Sequence, residues 1–75
     1  MNEIKQVVAE TFQIPVASIA DDSSNQTIAQ WDSLGHMNLI MALEKHFSVS
    51  FTLDEIVEML DLPSIERILQ EKKTS

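Results

Sequence analysis

Between Asp32 and Phe47 the chain reads D-S-L-G-H-M-N-L-I-M-A-L-E-K-H-F, and no other stretch limits the fold as severely. Asp32 is a good helix N-cap, and the apolar positions after it recur at three- and four-residue spacing. The spacing predicts a helix over 33–47. On a wheel at about 100° per residue, Leu39, Ile40, Leu43 and Phe47 fall within an arc of about 100° and form a core stripe. Leu34, Met37 and Met41 make a second arc of about 60°, centred well away from the first and flanked by Asn38, Glu44 and Lys45. A surface helix of a bundle needs one apolar stripe. The second arc is therefore either covered by the long connection before the helix or exposed to a partner. Exposure is the expectation, since methionine suits adaptable binding surfaces.

The rest of the chain supplies elements for this helix to pack on. Ile4, Val7, Val8 and Phe12 form one stripe of an amphipathic first helix, stopped by Gln13-Ile14-Pro15 because the residue before proline avoids the helical region. Residues 15–31 form a long connection with turn chemistry at its Asp-Asp-Ser-Ser-Asn centre and apolar anchors at Ile14, Ile19, Ile28 and Trp31. Ser-Val-Ser-Phe at 48–51 alternates but is too short and isolated for a stable strand. Thr52-Leu53-Asp54-Glu55 is a capping box opening a short third helix to about Leu60. Asp61 caps a fourth helix, with Pro63 tolerated in its first turn and Ile65, Ile68 and Leu69 on one stripe. The tail Glu71–Ser75 is expected to fray. The fold class is all-α: a small four-helix bundle with a long loop between helices 1 and 2 and a short third helix, one domain over residues 1–75.

Composition excludes several functions. Twelve acidic residues against five basic ones leave a net charge of −7. Phosphate backbones repel such a surface, so nucleic-acid binding is not expected, whereas basic protein partners are attracted. With no cysteine there is neither a disulfide framework nor a thiolate metal site. No apolar run approaches the roughly 20 residues that span a bilayer, and the first residues lack the layout of a signal peptide. A cytoplasmic monomer without membrane insertion is expected.

The stretch Asp32-Ser33-Leu34, followed by a hydrophobic helix ending in Glu44-Lys45-His46-Phe47, resembles the signature of the acyl carrier protein family. The likeness extends over nearly the whole chain: amphipathic first helix, long loop, capped short third helix, closing fourth helix. The resemblance implies that Ser33 is esterified with 4′-phosphopantetheine, transferred from coenzyme A by a phosphopantetheinyl transferase. The arm's thiol would then hold an acyl group as a thioester for acyl-activating and acyl-transfer enzymes. Asp32 would cap the helix and help recruit a basic transferase, and Leu34 adjoins the attachment point. Leu34, Met37 and Met41, with Ile56 of the third helix, would form the docking patch. Leu39, Leu43 and Phe47 would line the space in which such carriers shelter a fatty chain. The chain departs from fatty-acid-synthesis carriers at Trp31, Gly35, Asn38, Lys45 and His46, which leaves Glu44 as an isolated acid. Those departures point to lipid modification or secondary metabolism. An aminoacyl or peptidyl carrier, such as a D-alanyl carrier, is the alternative cargo class. An unmodified helical interaction module is the alternative of another kind.

Single residues carry competing expectations. Trp31 is read as an anchor pinning the loop onto the bundle. Gly35 either lets an enzyme approach the arm closely or is simply tolerated near a helix end. His36 lies at i+3 from Ser33 with Asp32 adjacent, but a neighbouring aspartate cannot orient the histidine from its far side, and no oxyanion-hole element is recognisable. A Ser-His-Asp hydrolase is set aside, and His36 is placed on the helix flank near the arm. His36 and His46 are ten apart, not a chelating spacing, and Asp21-Asp22 reads as a solvated turn, so no metal is expected.

Overall fold

The computed structural model describes residues 1–74. Helix α1 runs Asn2–Phe12, α2 Ser33–Phe47, α3 Leu53–Glu58 and α4 Leu62–Thr74. The described residues hold no β-strand, and the fold is the small all-α bundle that the apolar spacing predicts. Ile4, Val7, Val8 and Phe12 of α1, Leu39, Ile40 and Leu43 of α2, and Ile65, Ile68 and Leu69 of α4 are buried in one core. Burial of each large apolar side chain is worth about 1.5–3 kcal/mol, which a chain of this size needs in order to fold.

The connection from α1 to α2 is packed rather than loose. A 3₁₀ turn at Val16–Ser18, which no spacing announces, hangs on Pro15, whose carbonyl accepts from the Ser18 amide at 3.0 Å and its hydroxyl at 2.7 Å. Ile19, Ile28 and Trp31 are buried as anchors, while Ile14 is half-buried. The buried Ser23 hydroxyl accepts from Ala20 N–H at 2.8 Å. Two bonds at 3.0 Å, from Asn25 N–H to the Leu60 carbonyl and from Leu62 N–H to the Ser23 carbonyl, flank an isolated bridge between Ser24 and Asp61. The loop is thereby tied to the junction of α3 and α4. The outer arc of α2 stays uncovered.

Four local expectations are corrected. Helix α3 stops at Glu58 rather than Leu60, because Met59 turns inward to complete burial and Leu60 N–H bonds the Glu58 carbonyl at 2.9 Å. Phe47 is half-buried at the rim of the core, its ring edge-to-face with His46 at 4.8 Å and beneath the Lys73 ammonium at 5.9 Å. The tail expected to fray is helical through Thr74, helped by Lys72, which pairs with Glu55 at 2.8 Å; Ser75 lies outside the described residues. Glu44, expected as a flank charge, accepts from the Phe51 amide at 2.9 Å and ties the link 48–51 to α2. Asp61 caps α4 as expected, accepting from Ser64 N–H at 2.8 Å.

Helices α1 and α2 end on residues in the left-handed region, Gln13 at φ 56° and Ser48 at φ 55°. Glycine is the usual residue there, since a Cβ costs about 1–2 kcal/mol in that conformation. The chain has a single glycine and places it elsewhere, at position 35.

Candidate functional site

Ser33 is the first residue of α2 and is exposed. Asp32, in extended backbone, accepts from Gly35 N–H at 2.8 Å through its side chain, while its carbonyl accepts from His36 N–H at 2.7 Å. The capping bond starts the helix one residue before the hydroxyl and leaves the serine side chain outside the cap. At a helix start the first amides have no intrahelical acceptor and the dipole is positive, an arrangement that suits a phosphodiester on Ser33.

Gly35 has a tertiary reason that neither sequence reading held. It is buried, and a Cβ placed there would stand 2.2 Å from the Gln30 carbonyl oxygen, 3.0 Å from the Phe12 ring and 3.2 Å from Asp32 Oδ1. The backbone of the incoming loop lies directly against α2 at this point. The glycine therefore faces the interior, and enzyme approach is not what requires it.

His36 is half-buried rather than a free flank residue. Trp31 Nε1–H donates to its Nδ1 at 2.9 Å, and its Nε2 lies 2.8 Å from the Ile56 carbonyl. Neither ring nitrogen is left to take a proton from Ser33, and Asp32 Oδ1 is held by Gly35 N–H. The hydrolase geometry is absent. Trp31 is 3% exposed and packs on Phe12 with ring centroids 5.9 Å apart, so it is the expected anchor with an added polar bond.

Beside Ser33 an open groove of about 660 Å³ is lined by Trp31, His36 and Met37 on one side and Leu53, Ile56, Val57 and Leu60 on the other. Among the residues expected to form a docking patch, Leu34 (73% exposed), Met37 and Met41 (57%) are all exposed on α2, and Ile56 is half-buried in the groove wall. Leu53, Val57 and Leu60 also stand exposed and were missed. Their i, i+4, i+7 spacing is a second apolar stripe, begun on α3 and continued past its end at Leu60, that the wheel used for α2 would have revealed. Leu39, Leu43 and Phe47, expected to line a chamber for a chain, do not line this groove: the first two are 0% exposed in the core, and Phe47 borders a separate cleft with Met1, Ile4 and Leu69.

The charges near α3 are structural. Glu55 completes the capping box with Thr52 and receives Lys72; the Lys72 hydrogen bond, then the Thr52 amide, hold its carboxyl below the usual range. Asp21, on the loop, is lowered by its hydrogen bond with Lys5 of α1 and by the charge of that lysine. No helix among the described residues is long and apolar enough to cross a membrane.

A helical domain that presents a serine at the exposed start of its second helix, beside an apolar groove, has the build of a carrier for a tethered group. Residues 2–71 match the family model described as "Phosphopantetheine attachment site", and the chain belongs to that family. It is a phosphopantetheine-binding carrier domain, and the group its family bears covalently is 4′-phosphopantetheine. A non-reducing polyketide synthase, dbaI, from Emericella nidulans is 34% identical over 62 residues, covering 83% of this chain. The chain spans about 2% of the length of that relative. Carriers of this kind are modified by phosphopantetheinyl transferases, interact with acyl-handling enzymes and are not themselves catalytic.

Proposed function

We propose that Ser33 is the attachment residue and that the chain acts as an acyl carrier in a specialised biosynthetic pathway of polyketide or lipid type. The exposed hydroxyl at the first position of α2, with Asp32 already committed as cap, is the observation that carries this reading. The bound arm would supply the thiol that this cysteine-free chain lacks. The protein's own residues do the rest. Asp32 keeps the helix start formed and places a negative charge where a basic transferase approaches. The amides of the first turn stabilise the phosphate. Leu34, Met37 and Met41 offer apolar contact to enzymes, and Ile56 completes that face from α3. With Glu44 the one acid on α2, that helix carries little charge to steer partners, so docking leans on apolar area.

An acyl cargo is favoured over an aminoacyl one by the apolar groove next to Ser33 and by the polyketide-synthase relative. Gly35, one of the departures from fatty-acid-synthesis carriers, has a packing reason and does not bear on the cargo. The same reading takes residues 1–75 as one monomeric, non-catalytic domain acting in the cytoplasm. Incubation with coenzyme A and a promiscuous transferase should add one phosphopantetheine mass to the wild type and none to Ser33→Ala. Labelling that persists in Ser33→Ala would displace the attachment site. Loading of the arm by an amino-acid-activating enzyme, and by no acyl donor, would overturn the cargo class.

A further inference from the structure

Helix α3 is six residues long and none of its residues is buried. A helix this short does not persist in water by propensity, so its place depends on what holds it. The capping box of Thr52 and Glu55 closes its first turn. Lys72 to Glu55 and Arg67 to Glu58 tie it to α4. Towards α2, the bond is His36 Nε2 to the Ile56 carbonyl. That carbonyl lies in the last turn of α3, where main-chain acceptors run short of amide partners, and Met59 N–H reaches it only at 3.3 Å.

The partners of the imidazole decide where its proton sits. An indole N–H can only donate, so Nδ1 must accept. A carbonyl oxygen can only accept, so Nε2 must carry the hydrogen. The ring is therefore a neutral bridge with one face of each kind, joining the end of the loop at Trp31 to the end of α3 at Ile56. It stands three residues after Ser33, in the wall of the groove that opens beside that serine.

We propose that His36 is a positioning residue: as the Nε2–H tautomer it sets the separation between α3 and the first turn of α2, and with it the shape of the groove at Ser33. It acts through Ile56 and takes no part in any bond made at the serine. The consequence for function rests on the Ser33 reading above; the effect on α3 does not. Without the imidazole, the Ile56 carbonyl loses a partner, and α3 keeps its ties to α4 and the packing of the Ile56 side chain on the core. The core beneath, closed by Leu39, Leu43 and Met59, has no part in the bridge.

The unmodified full chain is sufficient for the test. In the wild type, long-range ¹H–¹⁵N spectra should show the His36 proton on Nε2. In His36→Ala, amide exchange at residues 56–59 should accelerate about tenfold, the loss of one neutral hydrogen bond to a partly buried partner, while α1 and the middle of α2 keep their protection. For the transferase reaction KM should rise several-fold with kcat within about twofold, because Ser33 and its cap are untouched. Uniform acceleration in every helix, or unchanged exchange in α3, overturns the proposal. Should His36→Ala fail to fold, the wild-type spectrum decides, and a proton on Nδ1 or an imidazole averaging between tautomers overturns it. If the wild type accepts no arm at all, the Ser33 reading fails while the exchange data still decide the role of His36.

Discussion

The indole N–H of Trp31 donates to Nδ1 of His36 at 2.9 Å, with the two rings nearly parallel at 20° and their centroids 6.3 Å apart. The pair lies five residues apart on either side of Ser33 and encloses the start of α2. Trp31→Phe keeps most of the apolar contact with Phe12 but removes the donor and leaves Nδ1 without a partner. The expected loss is about 1–3 kcal/mol in urea unfolding followed by far-ultraviolet circular dichroism. A loss below about 0.5 kcal/mol would mean that the indole contributes packing alone.

Gly35→Ala should destabilise the fold, although alanine is the better helix former. Propensity alone would favour alanine by up to about 1 kcal/mol. A Cβ at 2.2 Å from the Gln30 carbonyl forces the loop backbone away, at an overpacking cost of about 1–3 kcal/mol. Thermal unfolding of the two proteins measures the balance. A stabilised Gly35→Ala would show that the loop does not rest on α2.

The two roles argued for Asp32 come apart by substitution. Asp32→Asn retains a capping oxygen for Gly35 N–H and should change stability by no more than a few tenths of a kcal/mol, whereas Asp32→Ala should cost about 1 kcal/mol. Transfer of the arm should slow in both, since both lose the charge that draws a basic transferase. Unimpaired transfer to Asp32→Asn would confine the residue to capping.

Met41→Asp tests the outer face of α2. With the side chain 57% exposed, the substitution should leave helicity intact and move stability by about 0.5 kcal/mol, the propensity difference. Acyl-transfer enzymes should bind it several-fold more weakly. Equal loss of helicity and of binding, compared by circular dichroism and by enzyme kinetics, would place Met41 in the core.

The pairing of Glu55 with Lys72 has a pH signature. The folded state holds the Glu55 carboxyl below its ordinary value of 4.5, so the unfolded chain takes up the proton first as the solution is acidified. The contribution is complete above that value and is lost as pH falls through the lower, folded one. Lys72→Met removes the largest cause. The Glu55 midpoint, followed through its carboxyl ¹³C shift, should then move back towards 4.5. An unmoved midpoint would assign the depression to the capping box.

Much of the architecture could be read along the chain because it depends on local chemistry. The stripe Ile4, Val7, Val8 and Phe12, the Asp32 cap, the Thr52–Glu55 capping box and the Asp61 cap each act over three to eight residues, and each is realised in the fold. The two arcs of α2 followed from the wheel alone, and their opposite fates, Leu43 sealed and Met41 exposed, are what a helix with one buried side requires. The stripe on α3 was equally legible and was overlooked. What spacing could not supply is any pairing between distant segments. His36 meets Ile56 across twenty residues, and Gly35 meets the Gln30 carbonyl only because the loop folds back over the helix start. Met59 cut α3 short once there was a core for it to enter.

The chain by itself determined four helices, the caps of the last three, the second apolar arc of α2 and the serine that begins that helix, because hydrogen bonds and apolar periodicity within one element need no knowledge of its neighbours. Only the tertiary structure decided that the glycine serves packing, that the histidine is a neutral bridge, and that α2 and α3 leave a groove at Ser33. Those features arise where backbone from one segment meets side chains from another, and the distances that create them exist only once the core has closed.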